Sequence, residues 1–185
     1  MMFTGCGNNS GNTAQSEDSS KPAAGAFVGS EDETYYLETF LCGYDYWTSY
    51  YEGFMDAAKQ LGVNAKYVGA TTSEIEDEVQ VFQQIMASNP AGIMVNPSDG
   101  TAFTAVAKEC NEKKIPLVVG ESPIPDCEVA MFINHDEDAM TEKAVKYIGE
   151  AMGGSGSIAM LTTPGQANLE LRDKAFKQNM EELYP

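Results

Sequence analysis

Apolar residues follow two alternating patterns from about residue 34 onward. Short, nearly continuous apolar runs are typical of strands covered on both faces, and they alternate with stretches whose apolar residues recur every three or four positions, as on one face of a helix. The runs predict six strands, at 34–41, 64–68, 91–96, 115–120, 128–134 and 157–162. Regular alternation of strand and helix predicts an α/β fold with a doubly wound parallel sheet.

Five helices are predicted between or after these strands. The first begins near Trp47 and ends before Gly62, a residue type that stops helices. The second begins near Ser73, which forms a capping-box pattern with Glu76. The remaining three begin near residues 103, 136 and 167.

The first 34 residues differ from the rest in composition. Residues 7–34 are rich in Gly, Ser, Asn, Ala and acidic residues, which predicts a flexible tether. The stretch FTGC places a small residue, Gly5, before Cys6 and looks like the end of a bacterial lipoprotein signal, in which the cysteine is acylated. Phe3 stands where that motif usually has Leu, and five residues precede Cys6. An ordinary N-terminus with an unmodified cysteine is the alternative.

The charge of the chain excludes some partners. Its 28 acidic and 11 basic residues give a net charge of −17, which disfavours binding to nucleic acid or anionic lipid headgroups. Cys42, Cys110 and Cys127 show no CxxC spacing, so no metal site is predicted, and core positions are expected for Cys42 and Cys110.

The carboxyl ends of the predicted strands are polar and rich in turn-forming residues. In open parallel sheets this edge forms the ligand crevice. The corresponding segments are 42–47, 69–74, 96–100, 120–126, 134–137 and 162–168. They carry the hydroxyls, amides, carboxylates and aromatic faces that suit a polyhydroxylated ligand such as a sugar.

No catalytic set accompanies these groups. The chain has one histidine, His135, and one arginine, Arg172, and it lacks a GxSxG elbow, a P-loop and a GxGxxG turn. Glu121 and Asp136 form a conceivable acid–base pair, but structural or hydroxyl-binding roles are preferred for them. The interpretation from the residues alone is a binding protein without a cofactor, a metal or catalytic residues.

From about Tyr35 to Pro185 the chain resembles the type I periplasmic binding proteins, specifically the ribose-like sugar-binding lipoproteins of ABC importers. The resemblance is carried by GYDYWTSYYEGFMDAAKQLGV, IEDEVQVFQQIMASNPAGIMVNPSDGTAF, IPLVVGES, FINHDEDAMTEKAVKYIGEAMGGSGSIAML and GQANLELRDKAFKQNMEELYP, in that order. It implies two lobes that close on a ligand, of which this chain would be an N-terminal fragment.

The resemblance also implies roles for individual residues. Tyr46 and Trp47 match aromatics that stack on the sugar, Asn96 matches an amide and Glu121 a carboxylate that bind hydroxyls. Glu170 stands where sugar binders of the ribose type usually have an arginine, so Arg172 could be structural and an amine-bearing ligand stays open. The predicted ligand-binding residues are Tyr44, Tyr46, Trp47, Asn96, Asp99, Glu121, His135, Asp136, Asn168 and Arg172.

Some aromatic residues of this region belong to the helical stripe instead. Tyr50, Tyr51 and Phe54 are predicted to be core. Trp47 fits either the core or the ligand site, whereas Tyr44 and Tyr46 lie in the turn itself and are assigned to the ligand.

The predicted organisation has three parts. Residues 1–34 are a lipoprotein signal remnant and tether, 35–134 an incomplete N-terminal ligand-binding lobe, and 135–185 the start of a truncated C-terminal lobe. For such a chain alone we expect weak or no ligand binding.

The function implied by the resemblance is that of the extracellular solute-binding component of an ABC importer, which binds a monosaccharide or similar polyol by hinge closure. Its partners would be the permease subunits and, through a lipid on Cys6, the outer face of the bacterial cytoplasmic membrane; a periplasmic location is the variant. A sugar- or autoinducer-sensing protein that presents its ligand to a signalling receptor is the alternative, and a doubly wound α/β enzyme is disfavoured.

Overall fold

The computed structural model describes residues 28–185, which form five strands and five α-helices. The strands are β1 (Thr34–Thr39), β2 (Asn64–Val68), β3 (Gly92–Asn96), β4 (Leu117–Gly120) and β5 (Met131–Ile133). The helices are α1 (Thr48–Leu61), α2 (Ile75–Ala87), α3 (Thr104–Glu112), α4 (Glu137–Ala151) and α5 (Ala167–Leu183), and a single 3-10 turn at Asp45–Trp47 precedes α1. Cys6 and most of the predicted tether lie outside the described residues.

The strands form one parallel sheet in the order β2-β1-β3-β4-β5. The predicted fold class is therefore confirmed. In this strand order the connections diverge between β1 and β3, which is the switch point where open α/β sheets bind ligands. The chain leaves β1 at Thr39 and β3 at Asn96, and these two residues are register partners.

The main core lies between the sheet and helices α2 and α3. Side chains that alternate along the three central strands share this face, among them Ile93, Val95 and Val119, all buried. Phe82 of α2 and Phe103, just before α3, meet edge-to-face with their ring centroids 5.6 Å apart. This packing fixes the sheet whose carboxyl edge forms the site.

Helix α1 covers the opposite face of the sheet. Gly120 of β4 lies close to Tyr50 of α1 on this face, since a Cβ atom built on the glycine would be 3.7 Å from the tyrosine ring. Gly62 ends α1 in the left-handed conformation, φ 72°, as its position in the sequence predicts. The helix therefore holds Tyr50 over the end of β4, where the site begins.

The predicted capping box at α2 is wrong. The N-cap is Glu74, whose side chain makes no capping bond, and the backbone N–H of Glu74 donates to the Thr72 hydroxyl at 3.4 Å. At α4 the predicted start is observed, since the Asp136 carboxylate accepts the Ala139 N–H at 3.0 Å. Asp136 is thus an N-cap.

The predicted strand at 157–162 is also wrong. These residues form no regular structure and all are exposed, Leu161 completely. A strand needs a ladder partner, and no other strand in residues 28–185 lies beside this segment. Helices α4 and α5, on either side of it in sequence, pack against each other instead.

Strand β5 is shorter than predicted and forms one end of the sheet. Its three residues, Met131, Phe132 and Ile133, pair with β4 and are all exposed.

None of the helices in residues 28–185 combines the length and the apolar character that a membrane span requires.

Candidate functional site

A cavity of about 310 Å³ lies at the carboxyl end of the sheet, between the segment after β1, the end of β4 and the first turns of α5. Its size is at the lower end of the range of small-molecule sites. The cavity is lined by Phe40, Leu41, Tyr44, Tyr46, Trp47, Glu121, Gln166, Asn168, Leu169 and Arg172. Six of these were predicted as ligand-binding residues.

Aromatic rings form one wall of the cavity. Leu41 and Gly43 adopt positive φ values of 47° and 92°, so the chain turns sharply after β1 and enters the 3-10 turn that presents the rings. Tyr46 is 62% exposed, whereas Trp47 is 2% exposed and meets Tyr46 edge-to-face at 4.7 Å. Trp47 thus belongs both to the packed interior and to the cavity wall.

Glu121 is the carboxylate of the cavity. It is buried, has a left-handed backbone with φ 63°, and its N–H donates to the Ile133 carbonyl at 3.0 Å. Its Oε1 accepts the hydroxyls of Tyr46 and Tyr50 at 3.2 and 3.1 Å. Burial raises the pKa of both tyrosines, and the negative charge of Glu121 raises it further. Both phenols therefore stay protonated as donors.

Arg172 faces the same cavity from α5. Its Nε and Nη2 donate to the two carboxylate oxygens of Glu137 at 2.8 and 3.0 Å, a bidentate pair that joins α5 to the first turn of α4. The Glu137 hydrogen bonds raise the pKa of Arg172 further. Nη1 of Arg172 takes no part in these two hydrogen bonds.

Two asparagines at the site hold buried polar atoms without hydrogen-bond partners among the described residues. They are Oδ1 of Asn168, which lines the cavity, and both side-chain atoms of Asn96. The side chain of Asn96 lies against Gly120 at the end of β4. A Cβ atom built on Gly120 would come within 1.9 Å of Asn96 Oδ1. Unpaired buried amides are costly, which indicates a role for these groups beyond packing.

Four predicted residues do not line this cavity. They are Asn96, buried at the end of β3, and Asp99, His135 and Asp136. Asp99 accepts the Thr101 N–H at 2.8 Å, a local turn contact. The Nδ1 of His135 is 3.9 Å from Glu121 Oε2, and its side chain borders a larger, open groove of about 820 Å³ along α4 and α5, together with Asp136. The open groove has no aromatic wall.

The assignment of the helical aromatics to the core needs correction. Tyr51 is exposed and its ring lies 5.4 Å from that of Tyr67. Tyr50 is half-buried and binds Glu121, so it belongs to the site. Only its place in the helical stripe was visible in the sequence, because Glu121, the residue after β4, lies 71 residues further along the chain.

The sequence patterns did not reveal two buried acidic residues whose charges interact, Glu38 and Glu78. Glu78 of α2 accepts both the N–H and the hydroxyl of Ser98, in the loop after β3. Glu38 of β1 is 1% exposed, and neither carboxylate oxygen has a partner among the described residues. Burial, and then the charge of Glu78, raises the pKa of Glu38 to about 9, so Glu38 is neutral at pH 7.

In residues 28–185 no group of three or more His, Cys, Asp or Glu side chains is placed to hold a metal ion. The polar groups of the cavity are oriented donors and acceptors suited to hydroxyls.

Comparison with known proteins agrees with this geometry. A family model described as periplasmic binding protein domain matches residues 42–185. No curated protein sequence matches the chain. The sugar-binding protein of a sugar ABC transporter from Bacillus halodurans is 33% identical, with a TM-score of 0.77 over 83% of this chain and 53% of that one.

Two further solved structures are similar. An arabinose binding protein from Geobacillus stearothermophilus is 31% identical, with a TM-score of 0.74 over 83% of this chain and 53% of that one. A solute binding protein from Burkholderia graminis, solved with D-arabinose, is 19% identical and shows the fold alone, with a TM-score of 0.77 over 84% of this chain and 53% of that one. The chain thus spans about half the length of the solved proteins it resembles.

Proposed function

The chain belongs to the periplasmic binding protein domain family, and from that premise we propose that it is a solute-binding component of an ABC importer whose ligand is a monosaccharide or a similar polyol. The observation that carries the proposal is the cavity at the carboxyl end of the sheet, whose lining combines aromatic side chains with a carboxylate, an amide and a guanidinium. The sugar-binding proteins above 30% identity support the ligand class.

The cavity offers complementary surfaces to a sugar. The apolar C–H face of a pyranose or furanose ring would pack on Tyr44 and Tyr46, which are exposed and ready for contact. Its edge hydroxyls would donate to Oδ1 of Asn168 and to Glu121, and accept from Arg172. Loss of one hydroxyl from the ligand would leave one of these buried groups unpaired, which is the basis of selectivity.

We expect no chemical change of the ligand. The Glu121 carboxylate is held by two tyrosine hydroxyls, and Arg172 by Glu137. The described residues that line the cavity include no serine, cysteine, histidine or lysine, so the cavity offers no nucleophile–base pair for covalent chemistry. The relatives above 30% identity are described as binding proteins, which supports the same interpretation.

The remaining parts of the proposal concern the whole protein. Residues 35–134 would form one lobe and residues 135–185 the start of a second, with ligand enclosed by hinge closure. The ligand would pass to permease subunits at the outer face of the membrane, where a lipid on Cys6 would anchor the protein. A sensing role would differ only in the partner that receives the closed form.

The single tryptophan allows a direct test. Trp47 lies in the cavity wall, so its fluorescence should change saturably when the chain is titrated with neutral aldoses such as L-arabinose, D-ribose and D-glucose. Weak binding is expected, with a Kd of about 1 mM, equivalent to about 4 kcal/mol, because the cavity is open on one side.

Two variants separate binding at the cavity from non-specific effects. Asn168→Ala and Tyr46→Ala should weaken the response, whereas Tyr147→Ala, an exposed residue of α4 away from the cavity, should leave it unchanged. Saturation that the cavity variants leave unchanged would contradict the assigned site, and tight binding would contradict the expectation of weak or no binding by this chain alone.

A further inference from the structure

The loop between β4 and β5, residues 121–130, lies along α3 and carries Cys127. We propose that Cys127 and Cys110 of α3 form a disulfide bond when the folded chain meets a disulfide donor, and that this bond ties the loop to the helix. The inference goes beyond the proposed function and does not depend on it.

Three contacts show that the loop follows α3 and the residues just before it. A Cβ built on Gly100 would come within 1.9 Å of the Pro123 carbonyl, and the Thr104 hydroxyl donates to the Pro125 carbonyl at 3.4 Å. Near the other end of α3, Asn111 Nδ2 lies 3.3 Å from the Cys127 sulfur. Cys127 therefore reaches the last turn of α3.

Cys110 lies next to that contact. It is the residue before Asn111 and is completely buried, and Cys127 packs against the core cluster to which Cys110 belongs. Neither cysteine is in a disulfide, and each thiol donates a local hydrogen bond. Cys110 donates to the Ile115 carbonyl at 3.4 Å and Cys127 to the Glu128 carbonyl at 3.3 Å. A disulfide requires that both thiols leave these weak acceptors and that the Cα atoms come within about 7 Å.

The two thiols differ in reactivity. Burial, and then the nearby Cys127, raises the pKa of Cys110 to about 11, whereas Cys127 is only half-buried and reached by solvent. The Cys127 thiolate is therefore the group that attacks a donor such as oxidised glutathione, forming a mixed disulfide and releasing one glutathione thiolate.

The second step closes the bond. Cys110 loses its proton to solvent, and its thiolate attacks the Cys127 sulfur and releases the second glutathione thiolate. In total two protein thiols are oxidised and one donor disulfide is reduced to two thiols. Cys42 has no part in this reaction, because its N–H donates to the Ala70 carbonyl at the β2 side of the sheet, away from β4.

Peptide mapping of the native chain tests the proposal. The chain is incubated with oxidised and reduced glutathione at neutral pH, alkylated without reduction and digested with trypsin. The expected product is one cross-linked species that joins peptide 109–113 to peptide 115–143, two hydrogens lighter than the sum of the reduced peptides, while Cys42 is alkylated.

Controls make the result specific to the folded state. The same oxidation in denaturant should give mixed pairings that include Cys6 and Cys42, whereas a Cys6→Ser/Cys42→Ser variant should still form the native cross-link. Cys127→Ser should remove the cross-link and leave Cys110 protected from alkylation until the chain is unfolded. Complete alkylation of Cys110 or Cys127 after oxidation and unfolding, a glutathione adduct that persists on Cys127, or native pairing to another cysteine would overturn the proposal.

Discussion

Replacing Glu38 with glutamine is expected to stabilise the fold at neutral pH. Glu38 is buried in β1 without a hydrogen-bond partner among the described residues, and burial raises its pKa to about 9. In the unfolded chain the same group ionises near its ordinary pKa of 4.5. The folded state therefore binds one more proton than the unfolded state between these two values.

The sign and the size follow from this difference. The contribution of Glu38 to the free energy of unfolding is fully present below pH 4.5 and is lost progressively as the pH rises to about 9. At about 1.4 kcal/mol per pH unit, the interval from 4.5 to pH 7 corresponds to a loss of about 3 kcal/mol. Glutamine has the shape of the neutral acid and does not titrate, so the variant avoids this loss.

Urea unfolding of both chains at a series of pH values measures the effect. The variant should gain little at pH 4.5 and about 3 kcal/mol at pH 7, because titration of the other carboxylates cancels in the difference. Glu52→Gln, the same change at an exposed position of α1, is the matched control and should stay within about 0.5 kcal/mol. A difference between Glu38→Gln and the unaltered chain that is constant from pH 5 to pH 8 would refute the reasoning.

Three further changes probe the core and the site. Phe82→Ala should cost about 3–5 kcal/mol in the free energy of unfolding, measured by urea titration, whereas Tyr147→Ala on the exposed face of α4 should cost under about 0.5 kcal/mol; equal losses would contradict the assigned core. Gly120→Ala should lower the melting temperature in circular dichroism, because the methyl group meets a buried amide at 1.9 Å, and an unchanged value would exclude that contact. Glu137→Gln should destabilise the chain by about 1–3 kcal/mol in urea unfolding, since Arg172 loses a charged bidentate partner; a loss under about 0.5 kcal/mol would count against the pair.

The sheet and most helices were predictable because each depends on local signals. Nearly continuous apolar runs such as GIMVN mark strands covered on both faces, and Gly62 marks the end of α1 in the position that only a left-handed residue fits easily. The run SIAMLT at 157–162 carries the same signal and forms no strand. Apolar pattern gives the tendency to pair, but pairing itself needs a neighbouring strand.

The sequence places several residues at the cavity but does not reveal the long-range contacts between them, and ligand binding by these residues stays a prediction. The turn aromatics Tyr44 and Tyr46 line the cavity, as expected for residues that follow a central strand. Tyr50 was assigned to the core, because the helical stripe does not reveal that its hydroxyl reaches Glu121. The Glu137–Arg172 pair joins two helices across an irregular segment, and no spacing rule in the sequence predicts it.

The short end strand β5 links local stability to the geometry of the site. It has three residues, one neighbouring strand and exposed side chains, so its amide protons should exchange with deuterium faster than those of β1 or β3. The carbonyl of Ile133 also holds the backbone N–H of Glu121. Each opening of β5 therefore releases one anchor of the carboxylate to which Tyr46 and Tyr50 donate, so fraying of a strand that does not line the cavity shortens the time for which this carboxylate is held in place.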